Sequence, residues 1–157
     1  FLVASQAIPV FALAPLLVVW LGYGIASKVL MAAIIIFFPI TVSLLEGFKH
    51  CEPEYVMLFR LMGAGFWKTM RLLYWPWALP YFFSGLKVGV TVATIGAVIG
   101  EWVGAQQGLG YLMIQSNARL RVDLVFAAIF YLSAMGLFLW GSVGFLERRI
   151  ITWKDSK

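Results

Sequence analysis

CEPEYVMLFRLMGAGFWKTMRLLYWPWALP runs from Cys51 to Pro80 as one polar island between two long uncharged segments. In so apolar a chain, charge is tolerated only where water or a protein partner satisfies it, so the island is expected outside the membrane. Glu52 and Glu54 flank Pro53. Proline suits a first helical turn, and acids there meet the positive end of the helix dipole, so a short helix is expected to start at this point. It meets Gly63-Ala64-Gly65, where glycine permits a left-handed helix end. Phe66 to Trp75 reads as a second helix, with Lys68 and Arg71 on one face and Trp67, Met70 and Tyr74 on another. Pro76 is expected to end it. Two short helices at a glycine corner make a compact knob suited to a groove in another protein.

Outward from the island, the chain is 62% hydrophobic, 17% aromatic and only 12% charged, with a mean hydropathy of +0.92. These values belong to an integral membrane protein. No charge occurs from Phe1 to Ser27, Val29 to Leu45 or Leu124 to Leu146, each near or above the roughly 20 residues that cross a bilayer. A fourth segment, from Pro80 to about Gly100, carries Lys87, which would cost about 2.5–3.5 kcal/mol at a helix centre but snorkels from near an end. The expected fold is therefore all-α and integral to the membrane. It has four transmembrane helices, approximately 7–26, 28–47, 80–101 and 123–146, and a polar loop over 52–76. Lysine and arginine gather in the island and in the tail (Arg148, Arg149, Lys154, Lys157), which places both on the cytoplasmic side. The net charge of +5 follows from this topology, and nucleic acid is set aside as a partner.

Gly85, Gly89, Ala93, Gly96 and Gly100 recur every three or four positions along one face of the 80–101 segment. Such a stripe lets helices approach closely, with a hinge or path-lining role as the sharper alternative. At the outer end comes GEWVGAQQGLGYLM, residues 100–113. Glu101, Trp102, Gln106, Gln107 and Tyr111 are its candidates for lining a solute path. Against that stands a structural role for Glu101, pairing with Arg119 or Arg121 or capping a helix. His50, Cys51 and Glu52 are adjacent and cannot all point into one site, so they do not read as a catalytic trio. There is no second histidine for a metal pair, no GxSxG and no Walker-type phosphate loop. No enzyme activity, bound cofactor or metal site is expected of this chain, and its one cysteine excludes an internal disulfide.

The island resembles the cytoplasmic loop of permease subunits of binding-protein-dependent ABC importers of type I, which reads E-A-A, three residues, Gly, nine residues, I-x-L-P. Gly63 stands at the glycine, nine residues follow, and Leu73-Tyr74-Trp75-Pro76 takes the place of I-x-L-P. Met57, Leu58 and Phe59 occupy the E-A-A positions. The resemblance implies that Met57, Leu58, Phe59, Arg60, Gly63, Lys68, Arg71, Leu73 and Pro76 belong to a loop coupling the permease to a separate ATP-binding subunit, which hydrolyses the ATP. It further implies an extracytoplasmic solute-binding protein, a second permease copy in a homodimer, and a multi-pass place in the bacterial inner membrane. The 100–113 stretch is similar to that of the nitrate, sulfonate and taurine branch, and most similar to members moving pyrimidine precursors of thiamine. The chain opens at Phe1 inside an apolar run, without an initiator methionine or basic leader. It is expected to form one permease domain over 1–157, the later part of such a fold and incomplete at its N terminus. An ATP-independent channel and a membrane scaffold that anchors cytoplasmic proteins are the alternatives, and neither explains the whole pattern.

Overall fold

The computed structural model describes residues 10–152, with side chains from residue 12 onward. Among these residues every regular element is helical: α1 Val10–Leu21, α2 Ile25–Lys49, α3 Pro53–Leu61, α4 Phe66–Trp102, α5 Leu109–Ala118 and α6 Val122–Ile150. Three of them, α2, α4 and α6, are long and apolar enough to cross a membrane. The expected 7–26 span lies partly outside the described residues. Its described part is the 12-residue α1, about 18 Å long at 1.5 Å per residue and so shorter than the hydrocarbon core.

Local chemistry sets most boundaries. Gly22, at φ +78°, donates its N–H to Val18 O and closes α1, and Gly24 begins α2. The turn between them is only 22–24, so α2 starts before the expected 28 and takes in Lys28. α6 likewise runs past 146, with Asp123 in its first turn and Arg148 and Arg149 in its last, each matching the helix dipole.

The largest departure from the sequence expectation is α4. Pro76 does not end a helix there. The chain runs continuously from Phe66 to Trp102, through an α-helical turn Phe66–Thr69, a π-helical segment Met70–Tyr74 and an α-helix Trp75–Trp102 that contains both Pro76 and Pro80. A proline is disruptive inside a helix because it lacks an N–H and its ring crowds the carbonyl four residues back. In the π segment each N–H reaches one residue further, and Trp75 N–H bonds Met70 O. The ladder therefore shifts immediately before Pro76, which falls at the start of the new α-helical register where a missing donor costs little. Residues 66–76 thus form the first part of α4, and of the expected 52–76 loop only 52–65 lies outside it. At 37 residues, α4 is about 55 Å long, roughly 25 Å more than the hydrocarbon core, so one end projects well beyond it.

α4 is the central helix, in contact with α1, α2, α5 and α6. Its glycine stripe lies against α2. A Cβ on Gly85 would fall 2.7 Å from Pro39 O, one on Gly89 3.0 Å from Ile36 Cγ2, and one on Gly96 2.6 Å from Ile35 Cδ1. Gly47 of α2 returns the favour, its missing Cβ leaving room for Tyr81 and Ala78. The stripe is a packing face, in which absent side chains let two backbones come together and pack more closely than lipid chains would against either. Two small clusters complete the core. Ala14, Leu17 and Met31 join α1 and α2 near Ile99 and Val103, while Phe83, Val143 and Ile151 join α4 and α6 toward the other end. Outward-facing side chains such as Phe126, Phe130, Leu137 and Phe138 are exposed along α6, as the solvent of a membrane allows.

Candidate functional site

At one end of the bundle, α2 and α4 are joined by a corner whose geometry follows from Pro53 at its start and Gly63 and Gly65 at its end. Pro53 occupies the first turn of α3, with Glu52 before it in extended backbone and Glu54 within the turn. At the far end, Ala64 N–H bonds Phe59 O at 3.0 Å and Gly63 N–H bonds Arg60 O at 2.9 Å, with Gly63 at φ +71°. This pair of bonds is a Schellman closure, and it requires a left-handed residue at position 63. No atom lies within 4 Å of a Cβ built there, so the demand for glycine is conformational and not steric. Gly65 then caps α4, accepting both the backbone N–H and the hydroxyl of Thr69.

The corner projects a dense set of exposed side chains. Leu61, Met62, Phe66 and Trp67 are 76, 75, 67 and 81% exposed, and Met57, Leu58, Arg60, Lys68 and Arg71 also lie on the surface. Large apolar side chains with basic neighbours therefore crowd the outside of the corner. Phe59 and Pro76 are half-buried and Leu73 is buried, so these three hold the corner and do not form its outer face. His50, Cys51 and Glu52 diverge: the imidazole Nδ1 meets Glu46 O at 2.8 Å and the ring stacks on Tyr81, the thiol is buried, and Glu52 is exposed. Burial, with a smaller contribution from Glu52, pushes the Cys51 thiol above its ordinary pKa, the opposite of an activated nucleophile.

At the other end, Glu101 organises the 103–108 connection. Its backbone carbonyl accepts Ala105 N–H at 3.0 Å, and its carboxylate accepts Gly110 N–H at 2.6 Å in the first turn of α5. The carboxylate sits where a Cβ on Gly108 (φ +130°) would collide at 2.3 Å and one on Gly110 would come within 3.0 Å. The glycines of GAQQGLG thus clear space for an acid that caps a helix and meets its dipole. Of the structural roles expected for Glu101, capping is present. Pairing with Arg119 or Arg121 is not: Arg121 bonds Asp123 at 3.0 Å and Arg119 reaches Gln115.

The five outer candidates do not converge. Trp102 lines a groove of about 780 Å³ between α4, α5 and α6, together with Thr91, Thr94, Met113, Ser133 and Trp140. Gln106 and Gln107 are exposed, and Tyr111 accepts a hydrogen bond from Gln115 Nε2. Sequence reading missed this groove, although Thr91, Thr94, Val98 and Trp102 fall at helical spacing on the side of α4 away from the glycines. It also missed the partner of Lys87, which pairs with Glu147 of α6 sixty positions away and lies 5.7 Å from the Trp140 ring centroid. Lys87 is held by a counter-ion and does not simply reach for water. Among the described residues no group of three His, Cys, Asp or Glu side chains could hold a metal ion.

Residues 1–152 match the family model of the binding-protein-dependent transport system inner membrane component. The chain is 49% identical to a probable ABC transporter permease protein of Haemophilus influenzae, over 96% of this chain and 61% of that one. It is 43% identical to the formylaminopyrimidine transport permease protein of Halalkalibacterium halodurans, over 99% of this chain and 62% of the relative. Against the riboflavin transport system permease protein of Chloroflexus aurantiacus the identity is 39%, over 99% and 58%. The chain therefore spans about three-fifths of the length of these curated relatives.

Proposed function

Because this chain belongs to the binding-protein-dependent transport system inner membrane component family, we propose that it is the coupling part of an ABC importer permease. In this reading it forms part of the solute path and receives motion from a separate ATP-binding subunit. The observation that carries the proposal is the Gly63 corner. A Schellman-closed turn between two membrane-crossing helices presents exposed apolar and basic side chains, and α4 runs without a break from that corner to the Glu101 cap. A push on the corner is thereby delivered along one continuous helix to the other end of the bundle, a physical link between two sites. A fourth crossing that takes in α1 belongs to this reading. A solute-binding protein delivers the solute outside, and a second copy of the permease completes the path.

For the solute we propose a small flat heterocycle of the pyrimidine-precursor kind. Relatives at 43 and 39% identity are named for formylaminopyrimidine and riboflavin, whereas those named for aliphatic sulfonates and taurine match at 26–30%. The α4–α6 groove supports this reading, since its lining carries two indoles and three hydroxyls and no charge that would recognise a sulfonate.

The test uses the full-length permease coexpressed with its ATP-binding subunit. Gly63→Val should lower copurification and uptake together, because a β-branched residue in left-handed backbone costs about 1–3 kcal/mol. Gly63→Asn, which tolerates that backbone, should retain most of both. Loss of ATPase association on charge reversal at Lys68 and Arg71, with the permease still folded, supports the coupling surface. Undiminished association in both Gly63→Val and the charge-reversed protein would overturn it. Competition of uptake by aminopyrimidines but not by taurine supports the solute class, and the reverse pattern replaces it with the sulfonate and taurine type.

A further inference from the structure

A second concave feature lies beside the corner, between the last turn of α2 and α3. It is a cleft of about 710 Å³ whose walls include Phe48, Lys49, Val56, Met57, Arg60 and Tyr74. Two of its lining residues are cations and none is an acid. Neither Lys49 nor Arg60 makes an ion pair among the described residues. Glu46, Glu52 and Glu54, the acids nearest in sequence, are exposed and line no part of the cleft.

Its place relative to the membrane follows from the helix that carries it. α2 is long and apolar enough to cross, and Lys49 stands in its last turn, so the cleft opens at the level of one membrane surface. Pro53, Val56, Met57, Arg60 and Leu61 line it from one face of α3 at helical spacing. The opposite wall is aromatic, with Phe48 and Tyr74 meeting edge to face at 6.4 Å between ring centroids. Two uncompensated positive charges above an apolar wall, at headgroup depth, complement an amphiphile with an anionic phosphate head and hydrocarbon tails.

We propose that this cleft binds an anionic phospholipid, its phosphate between Lys49 and Arg60 and the start of its acyl chains against Phe48, Val56 and Met57. The bound lipid bridges α2 to α3 and holds the corner against the membrane surface. Of the corner's exposed side chains, Met57 and Arg60 then face lipid and leave the coupling surface to Leu58, Met62, Trp67, Lys68 and Arg71.

The test is native mass spectrometry of the full-length permease released from vesicles of phosphatidylcholine mixed equally with phosphatidylglycerol. The wild type should retain phosphatidylglycerol in preference to phosphatidylcholine. Lys49→Gln with Arg60→Gln should lower that preference by roughly five-fold per charge removed, the size expected of a basic residue at an anionic surface. Lys49→Arg with Arg60→Lys should keep it, as should Arg148→Gln, which removes a cation at the end of α6. Equal retention of the two lipids by the wild type, or a preference that survives the double neutralisation, overturns the proposal. So does displacement of the lipid by inorganic phosphate or by glycerol phosphate, since either would make a soluble anion the ligand.

Discussion

Glu101 shows how much one side chain settles. An acid beside a membrane span is expensive unless something satisfies it, and here the first turn of α5 does so through Gly110 N–H. Glu101→Ala should free the start of α5, at a cost of about 0.5–2 kcal/mol, the usual value of a lost capping side chain. Glu101→Gln, which keeps an acceptor, should cost less. Hydrogen exchange of the amides of residues 109–112 reads the difference, and equal protection in both variants would show that the cap does not hold the helix. Cys51 offers a check of the opposite kind. Its thiol is buried and its pKa raised, so less thiolate exists at pH 7 than in a free peptide. Alkylation at Cys51, followed on its own peptide, should be slower than for a model thiol and should accelerate only above the ordinary thiol range. Both effects are local in chemistry, yet the residues responsible, Gly108 and Gly110 for one and the α2–α3 junction for the other, become neighbours only on folding.

Hydropathy located α2, α4 and α6, because membrane length and apolar composition are properties of a single segment. The glycine stripe was legible for the same reason: small residues every three or four positions define a face before any partner is known. What faced it was not legible. Only the fold shows α2 lying on Gly85 so closely that a Cβ would fall 2.7 Å from a backbone oxygen, while at Gly100 the nearest atom would be 3.6 Å away. Gly85→Leu should therefore force α2 and α4 apart and destabilise the protein by about 1–3 kcal/mol or more, the cost of overpacking. Gly100→Ala should be nearly neutral. Thermal unfolding of the two variants in detergent separates them, and equal midpoints would argue against the stripe as the packing face. The misread element was α4. Pro76 and Pro80 are breakers by local rules, and the π segment that accommodates Pro76 depends on register within a helix and not on residue type.

Among the described residues of the whole bundle, the Lys87–Glu147 ion pair joins two of the long helices. Lys87 and Glu147 are partly buried, 25 and 15% exposed, and join α4 to α6 beside Trp140. Exposed pairs contribute little, whereas breaking a buried one strands a charge, so Lys87→Met should cost about 1–3 kcal/mol, between those limits. The double exchange Lys87→Glu with Glu147→Lys should recover part of that loss; recovery of none in a double-mutant cycle would mean the two charges act separately. Composition, charge placement and hydropathy by themselves determined the membrane class and three of the four expected long helices, and Gly63-Ala64-Gly65 marked the corner, since each depends on a short window of chain and on the bilayer as solvent. The tertiary structure alone decided which acid answers Lys87, what Glu101 caps, and which residues line the α4–α6 groove and the basic cleft. These are relations between segments, set by how each helix is rotated against its neighbours, and a window of sequence contains no information about rotation.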